Sequence, residues 1–259
     1  LRRFLFAFIG GCVIGTLGGL IGLGGAEFRL PLLIGPFGFA ALDAVILNKA
    51  MSLVVVASAL PFRSQTIPWS EVTAHWTVIV NLLAGSLAGA WFGAGWALRL
   101  RAAVLYRTLA VLLVMIALIL LLAHSPEART PLLNGAAQAV AGVVAGFCIG
   151  IVASLMGVAG GELLIPTLVL LFASDIKLAD SLSLMISLPT MIVGFTRYSR
   201  DQSFQVLRRN LAFVLLMAAG SVLGSWIGDR LLGVVPIAVL IPGLSVILLI
   251  SAVKVWHHK

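Results

Sequence analysis

The chain has 259 residues, of which 61% are hydrophobic and 10% charged, and a formal net charge of +8. An ordinary soluble domain carries about 25% charged residues, so this chain could not clothe a water-exposed surface, and a free-standing soluble enzyme is excluded. Charge-free runs at residues 4–26, 111–126, 130–161, 210–228 and 231–253 reach or approach the roughly 20 apolar residues needed to cross a bilayer. The expected class is an all-α polytopic membrane protein.

In chain order, the first apolar stretch covers residues 4–36 and follows Leu1-Arg2-Arg3. It exceeds the 7–15 residues of a signal-peptide core and is expected to stay as a first helix. About 33 residues at 1.5 Å each would span near 50 Å, too long for one ordinary crossing. Glycine weakens a helix interior and proline removes a backbone donor. A break at Gly22–Gly25, ahead of Glu27, Arg29 and Pro31, is therefore expected. A second segment, residues 40–62, carries Asn48-Lys49 and ends at Arg63, and segments at 76–98 and 104–123 follow. Residues 124–135 read as a linker.

The series then recurs. Residues 136–173 hold a second glycine break at Gly157–Gly161, with Glu162 and Pro166. Segments 178–195, 211–232 and 234–255 follow. Gly15, Gly22, Gly25, Glu27 and Pro31 return as Gly150, Gly157, Gly160, Glu162 and Pro166, each offset by 135. The block from Gly85 to Gly93 returns as Gly220 to Gly228 at the same offset. Such recurrence points to an internal duplication, with a first membrane repeat at 1–123 and a second at 136–259, each of about four segments.

Topology depends on the glycine breaks. If each broken stretch crosses once, ten Lys and Arg lie on the inner side and five outside. If each turns back as a hairpin, the division is eleven against four and the halves become inverted copies, as in many secondary transporters. The positive-inside rule barely separates the two; inversion is preferred, and both place the termini in the cytoplasm. The basic residues thus read as topology signals, and no nucleic-acid partner is expected.

Arg29 and Lys49 remain inside the membrane in either arrangement, with Glu27 and Glu162. Buried charge there costs about 2.5–3.5 kcal/mol per residue unless it faces a partner or a wet cavity. Glu27 and Glu162, just after double glycines, either complement helix dipoles or carry protons. Helix starts after Gly24-Gly25 and Gly160-Gly161 free backbone N–H groups, which suits an anion site. Lys49 either snorkels or faces the cavity, and with Arg29 it would make that cavity electropositive. The second half offers Asp180, Ser181, Ser183, Ser187 and Thr190 instead of cations. Gly85, Gly89 and Gly93, with Gly220, Gly224 and Gly228, read as close helix packing. No metal-ligand spacing, cofactor motif or catalytic constellation emerges, and Cys12 and Cys148 read as small apolar fillers.

The paired motifs, Gly-Leu-Gly-Gly-Ala-Glu-Phe-Arg-Leu-Pro (residues 22–31) and Gly-Val-Ala-Gly-Gly-Glu-Leu-Leu-Ile-Pro (157–166), resemble those of the TauE/SafE family of sulfite and organosulfur anion transporters. The resemblance implies a secondary transporter of a small sulfur-containing anion in the bacterial inner membrane, coupled to an ion gradient. Ala26 and Glu27 stand where the family motif is richer in glycine, which points to proton coupling or to another substrate. The expected substrate ligands are Gly24, Gly25, Arg29, Asn48, Lys49, Gly160 and Gly161, with Glu27 and Glu162 carrying coupling protons. A transporter of a different carboxylate or anion, or a non-transporting membrane scaffold, are the alternatives.

Overall fold

Charge lies inside this molecule and bulky apolar side chains lie outside. Arg29 and Lys49 are 0% exposed, whereas Phe6 and Phe92 are each 64% exposed. That inversion of the soluble pattern is what a lipid-solvated surface requires. The structure, a computed structural model, describes residues 2–20, 25–63, 73–122, 131–231 and 237–257. The expected break residues Gly22 and Gly24, and most of the expected linker, lie outside the described residues.

The described residues form helices and no strand. They are α1 (Arg2–Gly19), α2 (Ala26–Ile34), α3 (Ala41–Arg63), α4 (Trp76–Ala97), α5 (Ala102–Leu122), α6 (Gly135–Met156), α7 (Gly161–Phe172), α8 (Ile176–Ser199), α9 (Gln205–Arg209), α10 (Leu211–Leu231) and α11 (Ile237–Trp256). A 3₁₀ turn at Gln202–Phe204 precedes α9. Seven of them (α1, α3, α4, α5, α6, α8 and α10) are long and apolar enough to cross a membrane. The chain is thus a multi-pass helical membrane protein. Helices α2 and α7, with 9 and 12 residues, are half-length elements of roughly 14 and 18 Å.

Two long seams hold the bundle together. A Cβ at Gly85 or Gly89 of α4 would run into the main-chain oxygens of Val143 and Phe147 on α6. A Cβ at Gly220 or Gly224 of α10 would meet those of Phe8 and Cys12 on α1. Without a hydrophobic force between helices in lipid, such backbone approach supplies much of the attraction through close van der Waals contact. Small residues are therefore required on these faces.

The seam contacts also fix helix directions. Gly11, Gly15 and Gly19 of α1 meet Met217, Ser221 and Ser225 of α10, so these helices run parallel. Gly85, Gly89 and Gly93 of α4 meet Val143, Phe147 and Ile151 of α6, which is parallel again. Helix α8 runs with α4, since Ser86 pairs with Thr190 and Gly95 lies against Arg197. A short segment, 200–210, turns α8 back into α10. Helices α1 and α10 therefore point one way, and α4, α6 and α8 the other.

The glycine breaks are hairpins. Gly25 lies against Ile14 and Gly18 of α1, and Gly10 lies against Leu32 of α2, so α2 runs back along α1. In the other half the Leu132 amide donates to the Leu170 carbonyl (3.1 Å), and Gln138 Nε2 donates to the Leu171 carbonyl (2.7 Å). The end of α7 thus returns to the beginning of α6. Following the helices from there, one face gathers Arg2, Arg3, Arg99, Arg101, Arg107, Arg197, Arg200, Arg208, Arg209 and Lys254, and the opposite face Arg63, Lys177 and Arg230. Arg3 stacks over Phe39 and Phe213, Arg107 over Trp256, and Arg197 over Trp91 on the basic face. Arginine with aromatic rings is the residue pairing favoured at a membrane–water boundary.

Candidate functional site at the meeting of two half-helices

Helices α2 and α7 approach each other by their N-termini inside the bundle. Each begins after a glycine in the left-handed region, Gly25 at φ 68° and Gly160 at φ 84°. A side chain would be strained at either position, which is why glycine stands there. Two positions on from each glycine stands a glutamate. Glu27 is 1% and Glu162 4% exposed, and their carboxyl groups lie within hydrogen-bonding reach of each other. Glu27 Oε2 and both carboxyl oxygens of Glu162 are buried without a hydrogen-bond partner, and a hydrogen bond between the two acids requires that one of them carry a proton. Two helix N-termini supply positive potential on the same spot.

The prolines add to this. Pro31 lies inside α2 and Pro166 inside α7. Neither can donate to the carbonyl four residues earlier, which belongs to Glu27 and Glu162 respectively. Both therefore leave the acidic residues' own carbonyls without that ladder partner.

Arg29, one half-turn beyond Glu27, is fully buried. Its Nη1 donates to Asn48 Oδ1 (3.3 Å) and Ser52 Oγ (3.2 Å), while Nε and Nη2 have no hydrogen-bond partner. Two unpaired N–H edges of a buried guanidinium are an open claim for an acceptor, because unmet donors to a charge are costly. Among the described residues, the buried hydroxyls without a partner are Ser181 and Ser187 on α8 and Ser221 and Ser225 on α10.

Asn48 and Lys49 face a different feature, the carbonyl end of α6. Asn48 Nδ2 donates to the Met156 carbonyl (3.1 Å) and also to the Ala26 carbonyl at the start of α2 (3.0 Å). Lys49 Nζ donates to the Ala153 carbonyl (3.1 Å) and contacts Ser154 Oγ (3.5 Å). Ser52 Oγ donates to the Gly157 carbonyl (3.3 Å), and the Tyr198 hydroxyl to the Ser154 carbonyl (2.9 Å). The last turn of a helix leaves carbonyls short of partners, and in a membrane no bulk water can satisfy them. Here the Gly157 and Val158 amides close on the Ser154 and Ala153 carbonyls, and four side chains, three of them from α3, add to these or take the Met156 and Gly157 carbonyls.

The structure therefore brings together Gly25, Glu27, Arg29, Asn48, Lys49, Gly160, Gly161 and Glu162 around one buried region; Gly24 lies outside the described residues. Ser52, Ser154 and Tyr198 belong to it and are not apparent from the sequence alone. Ser52 stands four residues after Asn48, on the same helix face, which is the available signal. Tyr198 lies in the basic stretch 197–200, whose charges conceal a buried phenol 0% exposed.

The family model described as sulfite exporter TauE/SafE matches residues 7–255. No curated protein and no solved structure matches the chain. The match covers all of the helices around the buried region, and the chain belongs to the TauE/SafE family of sulfite exporters, which are membrane transporters.

Proposed function

We propose that this chain carries a small monovalent sulfur oxyanion, hydrogen sulfite or a sulfonate, out of the cytoplasm in exchange for or together with protons. The observation that carries the reading is Arg29, fully buried with Nε and Nη2 unpaired, one half-turn from the Glu27–Glu162 pair. Arg29 and Lys49 bring two positive charges, and a carboxyl pair sharing one proton brings one negative charge. The remainder is one positive charge in a region where unbalanced charge is costly. A single-charged anion balances it. Oxyanions suit the planar fork of a guanidinium, which offers two parallel donors.

In this reading Arg29 binds the anion, with Asn48 and Ser52 holding its far edge. The Gly25 and Gly160 turns, with Gly161, aim the two helix starts at the substrate. Glu27 and Glu162 exchange the coupling proton, because a second proton or none changes the charge the anion must balance. Transport alternates the access of the site by motion of one half of the bundle against the other. The basic face lies in the cytoplasm, with both termini, and the protein resides in the bacterial inner membrane.

The test is flux in proteoliposomes loaded with sulfite, methanesulfonate or acetate under an imposed pH gradient. Sulfite or sulfonate movement above that of empty vesicles, and above acetate, is expected. Faster acetate movement would assign the site to carboxylates. No movement of any anion would leave the chain a membrane scaffold and end the transporter reading.

A further inference from the structure

Lys49 does something that the anion reading does not require. Its ammonium sits at the carbonyl end of a broken membrane helix, on the Ala153 carbonyl and beside Ser154 Oγ, and it is 0% exposed. The surrounding side chains, Asn48, Ser52 and Tyr198, take the neighbouring carbonyls of Met156, Gly157 and Ser154. Space for the ammonium comes from Gly194 on α8. A Cβ there would stand 3.1 Å from Lys49 Nζ and 2.8 Å from Ser154 Oγ. In secondary transporters, unwound carbonyls and the C-terminal ends of half-helices are where a monovalent metal cation is coordinated. The negative end of the helix dipole favours positive charge at that place whatever its source.

We infer that the Lys49 ammonium is a built-in cation, occupying the seat that a sodium ion would otherwise take at the end of α6. The protein's cycle then needs no sodium ion, and the positive charge that holds α6 to α3 stays with the protein throughout. Lys49 is accordingly a positioning residue: it fixes the end of α6, and with it the Gly157–Gly160 turn that aims α7. Removing its side chain should leave a cation-sized vacancy lined by the Ala153 carbonyl and the Ser154 hydroxyl. A small cation supplied from solution should fill it.

The inference rests on the membrane-transporter reading for its meaning, but its test does not use the transported anion. Purified protein in detergent is melted in sodium chloride, lithium chloride, methylammonium chloride or choline chloride at matched ionic strength. Wild-type protein should melt at one temperature in all four. Lys49→Ala should melt lower in choline and regain several degrees in methylammonium or sodium. Lys49→Met, which fills the space without charge, should show no such recovery. A wild-type protein stabilised by sodium over choline would overturn the inference, as would a Lys49→Ala protein that no small cation restores. Should Lys49→Ala not fold, the wild-type comparison still decides, and Lys49→Ser provides the second variant. It also vacates the seat and should melt higher in sodium or methylammonium than in choline. A Lys49→Ser protein indifferent to all four salts would count against the inference. Failure to find sulfite flux would leave these melting results, and the inference, standing.

Discussion

The carboxyl groups of Glu27 and Glu162 meet at the centre of the bundle, although 135 positions separate them in the chain. Each is delivered by the first turn of a half-helix, and each half-helix turns back along the long helix before it. Because the two long helices run in opposite directions, the half-helices enter from opposite faces and come together end to end. Two acids held this close favour binding one proton between them over both being ionised, which is the basis of the proposed coupling role.

Replacing both acids tests their role directly. Glu27→Gln with Glu162→Gln keeps the shape and a donor for the pair, so the protein should fold and melt near the wild-type temperature. Flux driven by a pH gradient should fall by at least about tenfold, which corresponds to about 1.4 kcal/mol on the limiting step. Exchange of substrate for substrate, which moves no net proton, should survive. Gradient-driven flux equal to that of wild type would remove the pair from proton coupling.

Arg29 separates charge from shape. Arg29→Lys retains the positive charge and loses the planar fork that reaches Asn48, Ser52 and two further acceptor positions at once. Half-saturation for sulfite should rise by about tenfold or more, the loss of a charge-assisted hydrogen bond being about 1.5–3 kcal/mol. Arg29→Gln should abolish saturable uptake. Unchanged saturation in Arg29→Lys would show that charge alone is used, and unchanged saturation in both would move the anion elsewhere.

The glycine seams make a stability prediction independent of transport. Gly89→Ala on α4 and Gly224→Ala on α10 each push a methyl onto a backbone oxygen of the facing helix, which cannot step aside. Overpacking of this kind costs about 1–3 kcal/mol, and a drop of several degrees in melting temperature is expected for each. Gly243→Ala on α11 is the control, because a Cβ there meets nothing within 4 Å. Its melting temperature should hold or rise slightly, as alanine favours the helix. Equal behaviour of the three would mean that the seams do not govern stability.

What was legible in the sequence follows the strength of its signals. Scarce charge gave the membrane class, and the spacing of Gly85, Gly89 and Gly93 gave a helix-packing seam, because both depend on composition along one segment. Glu27, Arg29, Lys49 and Glu162 stood out because buried charge in lipid is expensive. Their grouping was harder, since Lys49 alone cannot reveal whether it faces an anion or the end of another helix. That distinction belongs to Ala153, an apolar residue whose backbone carbonyl is the partner and whose side chain carries no sign of it. Ser52 and Tyr198 were unread for the same reason: each serves a main-chain oxygen more than a hundred or more than forty positions away. The hairpins were undecided because two glycines permit a turn without dictating its angle.

Those hairpins can be tested by cross-linking. In a Cys12→Ser, Cys148→Ser background, which removes the free thiols, Leu132→Cys is combined with Leu170→Cys. The amide–carbonyl bond between these residues places their backbones side by side, within the separation a disulfide spans. Mild oxidation of membranes should join them, read as loss of double labelling by a thiol reagent. Had residues 135–172 crossed the membrane in one direction, the same pair would lie roughly 57 Å apart at 1.5 Å per residue, and no oxidant could bridge them. Leu132→Cys with Met156→Cys, at opposite ends of α6, is the negative control. Failure of the first pair to join would straighten the broken stretch, return the halves to parallel copies and separate Glu27 from Glu162.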